Sequence, residues 1–98
     1  MFRHIVLLTL VPDTTDEQRQ FLLDGLATLP PAIPEIDSYR YGTDAGLADG
    51  NATIGIVADF ADQAAYELYR DHPVHRAVIE ERILPVLAGR TAMQIVDA

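Results

Sequence analysis

Residues 66–79, YELYRDHPVHRAVI, decide how the chain is read, because they break a helix and set Tyr69, His72 and His75 beside the break. Pro73 lacks a backbone N–H and biases His72 away from helical dihedrals, so a helix arriving through Tyr69 stops near Asp71. A second helix then restarts with Pro73 in its first turn. The corner holds His75 as part of a rigid unit and leaves Tyr69 on the last turn of the helix before it. All three side chains can exchange a proton or donate a hydrogen bond.

Working outward, Asp62 is placed to cap a helix over Gln63–Arg70, and Thr53–Phe60 before it reads as a strand. The acidic, Gly-rich stretch 42–52 is a loop with a turn at Asp49-Gly50-Asn51, joining that strand in a hairpin to a more polar strand over Ile36–Tyr41. At the start of the chain, Phe2–Leu10 is apolar at nearly every position, the pattern of a central strand covered on both faces. Thr14 or Thr15 caps the next helix, with Glu17 or Gln18 completing a capping box. That helix runs to Leu29 with Gln18, Phe21, Leu22, Gly25, Leu26 and Leu29 on one stripe facing the sheet. Pro30, Pro31 and Pro34 are expected to hold the following connection extended and non-helical. After the corner, the second helix is expected to reach about Leu87, with Pro85 marking a kink or an early end and Gly89 a C-terminal cap. Thr91–Val96 closes the chain as a strand.

The order β-α-β-β-α-β is the split βαβ, ferredoxin-like arrangement of the α+β class. It predicts one domain over residues 1–98, with an antiparallel four-stranded sheet and its helices on one face. The other face then needs a cover. Ile5, Leu7, Gly55, Val57, Ala92 and Gln94 are expected on it, and pairing of two copies through this face into a dimeric α+β barrel is the economical solution.

Composition excludes several functions. Seven Lys+Arg against 15 Asp+Glu give a formal charge of −8, which repels phosphate backbones and argues against nucleic acid. With no Cys there is no disulfide, thiolate metal site or Cys nucleophile. The opening MFRHIVLL lacks the apolar length and cleavage site of a signal peptide, and no apolar run reaches membrane-spanning length, so a cytoplasmic location without membrane association is expected. The glycines of the loop have neither the Lys-Ser/Thr nor the helix start of a phosphate loop, no dinucleotide fingerprint is present, and Ser38 has no nucleophile elbow. No cofactor is expected.

Between helices and sheet, His4, Val6, Leu8, Leu22, Leu26, Ile54, Ile56, Tyr69, His75, Val78, Met93 and Ile95 are expected to line a cleft. An apolar cavity with a few convergent polar groups suits a small hydrophobic or aromatic ligand. There His75 can act as the general base that removes an acidic proton beside a carbonyl, because imidazole titrates near neutral pH. Tyr69 can donate to the developing oxyanion, and His4 can bind or orient the ligand. His72 and Pro73 read as structural, with His72 capping helix ends through backbone groups. His72-x-x-His75 together with His4 would supply three imidazoles, but Pro73 turns the two corner histidines apart, so no metal site is expected.

The HPVH corner, preceded by Tyr69, resembles the H-P-x-H signature of the stress-responsive dimeric α/β-barrel (Dabb) family. The HIVLLTL strand with His4, the helix running into LPPAIPEI, Gly42, the VADF strand end and a closing strand ending at Asp97 extend the resemblance over essentially the whole chain. It implies the dimeric barrel. It also implies, from polyketide (olivetolic acid) cyclase-like members, a cofactor-independent cyclase, lyase or isomerase with Tyr69 and His75 at the catalytic positions and His4 and His72 at further histidine positions. Where the plant cyclases carry aromatic residues on the first helix, this chain has Leu22, Leu23 and Leu26. The alternative is a non-catalytic, stress-related or ligand-binding dimer in which the corner is only structural. A cavity reaching Tyr69 and His75 favours the first, a filled core the second.

Overall fold

The computed structural model describes residues 1–97. Strand β1 spans Phe2–Leu10, followed by helices α1 (Asp16–Ala27) and α2 (Leu29–Ala32), hairpin strands β2 (Ser38–Thr43) and β3 (Ile54–Phe60), helices α3 (Gln63–Asp71) and α4 (Pro73–Val78), and strand β4 (Leu87–Val96). Local chemistry sets the helix starts. Thr15 accepts from Gln18 N at 3.1 Å while Gln18 Oε1 accepts from Thr15 N at 2.9 Å, the reciprocal capping box. Asp62 Oδ1 accepts from Ala65 N at 2.9 Å and starts α3.

The strands pair antiparallel in the order β2-β3-β1-β4, with β1 central, as its apolar run demands. Helices cover one face only. Leu22, Leu26 and Leu29 from that layer meet Leu8, Ile54, Ile56, Ala58 and Phe60 from the sheet, all at 4% exposure or less. Val6 and Ile33 belong to the same cluster, as do Phe2, Leu10, Tyr69, Val78, Ile83 and Val86. A methyl group at Gly25 would run into Arg82 and Val78, so this glycine allows α1 to lie close against the segment after the corner.

Several expectations need correction. Leu29–Ala32 is a turn of helix rather than an extended link, because Pro30 and Pro31 occupy first-turn positions where a missing N–H costs nothing. The buried stripe of α1 is narrower than the periodicity suggested: Phe21 is 49% exposed and lies under the Arg82 guanidinium, 4.0 Å from its ring centroid. After α4 the helix loosens into a π-helical turn, Ile79–Ile83, and a 3₁₀ turn, Leu84–Val86, that takes in Pro85. Gly89 is therefore no helix cap but lies inside β4, opposite Thr9. Strand β2 begins and ends two residues later than the sequence suggests, because the backbone of Asp37 is already tied to Asp59 O at 2.8 Å before the ladder starts.

The largest correction is the side-chain parity of β4. Gln94 pairs with His4 and Ala92 with Val6, so both face the helices, while Met93 opposite Ile5 and Ile95 opposite Arg3 face away. Residues directly opposite in an antiparallel pair share a face, and a one-residue slip moves the whole set across the sheet. Met93 and Ile95 are accordingly 55% and 37% exposed and do not line the cleft; they join Ile5, Leu7 and Val57 on the uncovered face.

Candidate functional site

The corner forms as its sequence requires. His72 has extended dihedrals, φ −63° and ψ 134°, and ends α3. Its Nδ1 accepts from Val74 N at 3.1 Å, so the ring caps α4, with Pro73 in the first turn. Among the described residues no three His, Asp or Glu side chains converge as a metal cage.

The turn of chain that follows brings His75 back over α3. Its ring lies 4.1 Å from the Tyr69 ring, centroid to centroid, at 33°. Its Nδ1 is 3.0 Å from the Arg70 carbonyl oxygen, which can only accept. Nδ1 therefore carries the proton in the neutral ring, and Nε2 keeps its lone pair for a ligand. Burial, reinforced by the nearby Arg76 and Arg90 charges and only partly offset by the hydrogen bond to that carbonyl, lowers the His75 pKa and keeps the imidazole in its neutral, basic form.

His4 is 4% exposed on β1 and its ring centroid lies 6.2 Å from that of Tyr69. The Gln94 amide nitrogen, an obligate donor, sits 2.9 Å from His4 Nδ1. This gives His4 the opposite tautomer, with the proton on Nε2. Burial first, then Arg90 and His75, push its pKa down to about 4, so it stays a neutral donor near pH 7. Tyr69, 3% exposed, has its hydroxyl pushed up to about 12, chiefly by burial, and remains protonated. The site thus holds one base and two donors in fixed protonation states.

These groups open on a cavity of about 230 Å³. Of the sequence-expected lining, His4, Val6, Leu8, Leu26, Ile56, Tyr69, His75 and Val78 line it. Leu22 and Ile54 are packed in the core beside it, at 0% and 1% exposure. Sequence reasoning missed Tyr66, whose ring lies tilted 4.9 Å from that of His4 by centroids, and the arginines Arg70, Arg76 and Arg90 at the mouth. It also missed Tyr39, whose hydroxyl is buried without a hydrogen-bond partner next to Tyr69. Tyr66 carried a signal, since it shares a helical face with Tyr69 three residues on. Arg90 and Tyr39 carried none without the strand register.

The family model for the stress responsive A/B barrel domain matches residues 2–97. A dimeric ferredoxin-like protein of unknown function from Thermobifida fusca is 40% identical, with 97% of this chain and 89% of that chain covered and a TM-score of 0.89. A Dabb family protein with a ferredoxin-like fold from Mesorhizobium loti is 26% identical over 99% of this chain and 96% of that one, TM-score 0.81. The hydroxynitrile lyase of Passiflora edulis, 18% identical, shares the fold at TM-score 0.83 with 99% of this chain and 94% of that chain covered. No functionally curated protein matches the chain significantly. Among the described residues, no helix is long and apolar enough to cross a membrane.

Proposed function

The chain belongs to the stress responsive A/B barrel domain family, and from that premise we propose that it is a homodimeric, cofactor-independent acid–base enzyme acting on a small hydrophobic carbonyl compound, in a cyclase, lyase or isomerase reaction. The observation that carries this reading is the pair of hydrogen bonds that give buried His4 and half-buried His75 opposed tautomers on one largely apolar cavity. His75 Nε2 offers a lone pair, held by the Arg70 carbonyl, and His4 Nε2 offers a proton, held by Gln94.

In the reaction, His75 Nε2 takes a proton from the carbon next to the substrate carbonyl, and the C–H electron pair becomes the enolate double bond. Charge gathers on the carbonyl oxygen, where Tyr69 and His4 donate hydrogen bonds. The enolate carbon then attacks an internal carbonyl, whose new alkoxide takes the proton from His75; or its electron pair expels a β-leaving group, which departs with that proton; or it is reprotonated by His75 on the opposite face or at another carbon of the conjugated system, which gives cyclisation, lysis or isomerisation respectively. Both donors hold their protons at neutral pH, so no other group is required for the first step. The fold relative from Passiflora edulis is a lyase, which agrees with this class of chemistry on this scaffold.

The test is exchange of the benzylic protons of phenylacetone in D₂O, followed by proton NMR. The protein is expected to accelerate exchange, and His75→Ala to abolish it while stability changes by less than about 2 kcal/mol, as for a substitution outside the packed core. No acceleration by the wild-type protein, or an undiminished rate in a folded His75→Ala variant, overturns the proposal.

A further inference from the structure

The mouth of the cavity is charged against the character of the chain. The sequence has seven cationic residues, all Arg, and 15 Asp+Glu. Yet Arg70, Arg76 and Arg90 line this cavity and no carboxylate does. Arg70 is paired with its neighbour Asp71, at 2.9 Å from Nε to Oδ1. Among the described residues, Arg76 and Arg90 have no acidic partner within ion-pair distance. They come from different elements, α4 and β4, and converge on one opening only through the fold.

From this asymmetry, and resting on the acid–base reading above, we infer that the substrate is a small keto acid, its carboxylate held at the mouth by Arg76 and Arg90 and its ketone inside against Tyr69 and His75. Planar guanidinium groups match a carboxylate and need not be deeply buried to select one. Two separate arginines at an apolar opening suit an amphipathic ligand with one anionic end. Size narrows the class. At a liquid share of ~30 Å³ per water, the cavity holds roughly eight waters, room inside it for a compact acid. The same positive mouth affects the chemistry: Arg90 is the charge that helps depress both His4 and His75, so it supports the neutral base it sits beside.

The experiment is equilibrium binding, which does not depend on turnover. Isothermal titration with 4-oxo-4-phenylbutanoate is compared with its uncharged amide, on wild type, Arg90→Gln and Arg76→Gln. The acid is expected to bind at least about tenfold more tightly than the amide, the worth of one charge-assisted hydrogen bond, with the preference shrinking as salt is raised. Arg90→Gln and Arg76→Gln should each erase most of that preference and leave amide binding unchanged. Both exposed arginines can be replaced without touching the core. Equal affinity for acid and amide, no binding of the acid, or an unaltered preference in both folded variants overturns the inference. Acid binding without phenylacetone exchange keeps this inference and removes the acid–base reading; exchange without acid preference does the reverse.

Discussion

Beneath the helices, β1 sets Val6 and Leu8 beside His4 in a covered layer; from its other face the same strand presents Ile5 and Leu7, with Leu7 44% exposed. The covered face is finished within one chain. Its largest side chains, Phe60, Leu8 and Leu22, are sealed, and its polar groups either have partners or open on the cavity, Tyr39 excepted. The uncovered face is apolar in its middle, where Ile5, Leu7, Val57 and Met93 meet, and is bounded by an ion pair satisfied within the chain. Arg3 grips Asp59 with two bonds of 2.7 and 2.9 Å, and Ser38 adds a third at 2.9 Å. The difference teaches that β4 gave its more apolar parity to the side with no helix. A monomer would bury Met93 and Ile95; a chain that pairs through its sheet would turn them outward, as this one does.

The most damaging test of that contrast is a charge in the middle of the open face. Met93→Asp or Leu7→Asp should weaken self-association at least about a thousandfold, because an unpaired carboxylate would be desolvated in the contact. Light scattering should show wild type at twice 10.8 kDa and the variants at 10.8 kDa, with the cavity side unaffected. Wild type already at 10.8 kDa under micromolar conditions would break the contrast outright.

The two faces should also separate on a pH axis. His4 has a folded pKa of about 4 against an ordinary 6.5, so between these values the unfolded chain binds more protons and stability rises with pH. The contribution is complete above 6.5 and is lost as pH falls toward 4, about 3 kcal/mol at most for a shift of that size. His75, also lowered, adds in the same sense. Asp59 is lowered from 3.8 by its bond to Arg3, so its contribution disappears only in more acid solution. Urea denaturation from pH 7 to 3 should show the histidine loss first, and His4→Gln should flatten that part of the curve. An unaltered slope in His4→Gln would mean that His4 titrates normally.

Much of this was legible from residues acting on their neighbours in sequence. Thr15 with Gln18, Asp62, and the His72-Pro73 corner each fix a backbone break with a side chain a few positions away, and each stands where the sequence put it. The alternation Thr91-Ala92-Met93-Gln94-Ile95-Val96 has a period but no sign. Which half faces the helices depends on a ladder partner 90 residues away, as in Gln94 with His4. Hydrophobicity alone favoured Met93 and Ile95 for the interior, and the ladder register that reverses it cannot be read from the segment itself. The same lack of long-range information hid Arg90 and Tyr39, and let Pro30 and Pro31 pass as breakers where they begin a turn of helix.

The smallest effect, and the one that sharpens the description of the covered face, concerns Tyr39. Its ring lies on the helix side of edge strand β2, 6.4 Å from Tyr69 and 5.7 Å from Tyr41 by centroids, and its hydroxyl is the one buried side-chain polar atom among the described residues without a partner. Burial, and then the Tyr69 hydroxyl, through its charge and a contact too loose to count as a formed hydrogen bond, raise its pKa, so it is never an anion in this site. A buried donor left unsatisfied costs about 1–3 kcal/mol, whereas removing it leaves a phenyl ring of nearly the same shape. Tyr39→Phe should therefore raise the unfolding free energy by about 1 kcal/mol after the lost contact with Tyr69 is deducted, read as a higher urea midpoint at an unchanged denaturant slope. The catalytic assay then assigns the cost. If phenylacetone exchange falls while stability rises, Tyr39 holds the Tyr69 hydroxyl toward the cavity and the unsatisfied group is kept for positioning. If exchange is unchanged, it is a packing residue whose hydroxyl serves nothing in this site. A destabilised Tyr39→Phe variant would show that the hydroxyl is bonded after all, and that the covered face is as fully satisfied in its polar groups as it is in its apolar ones.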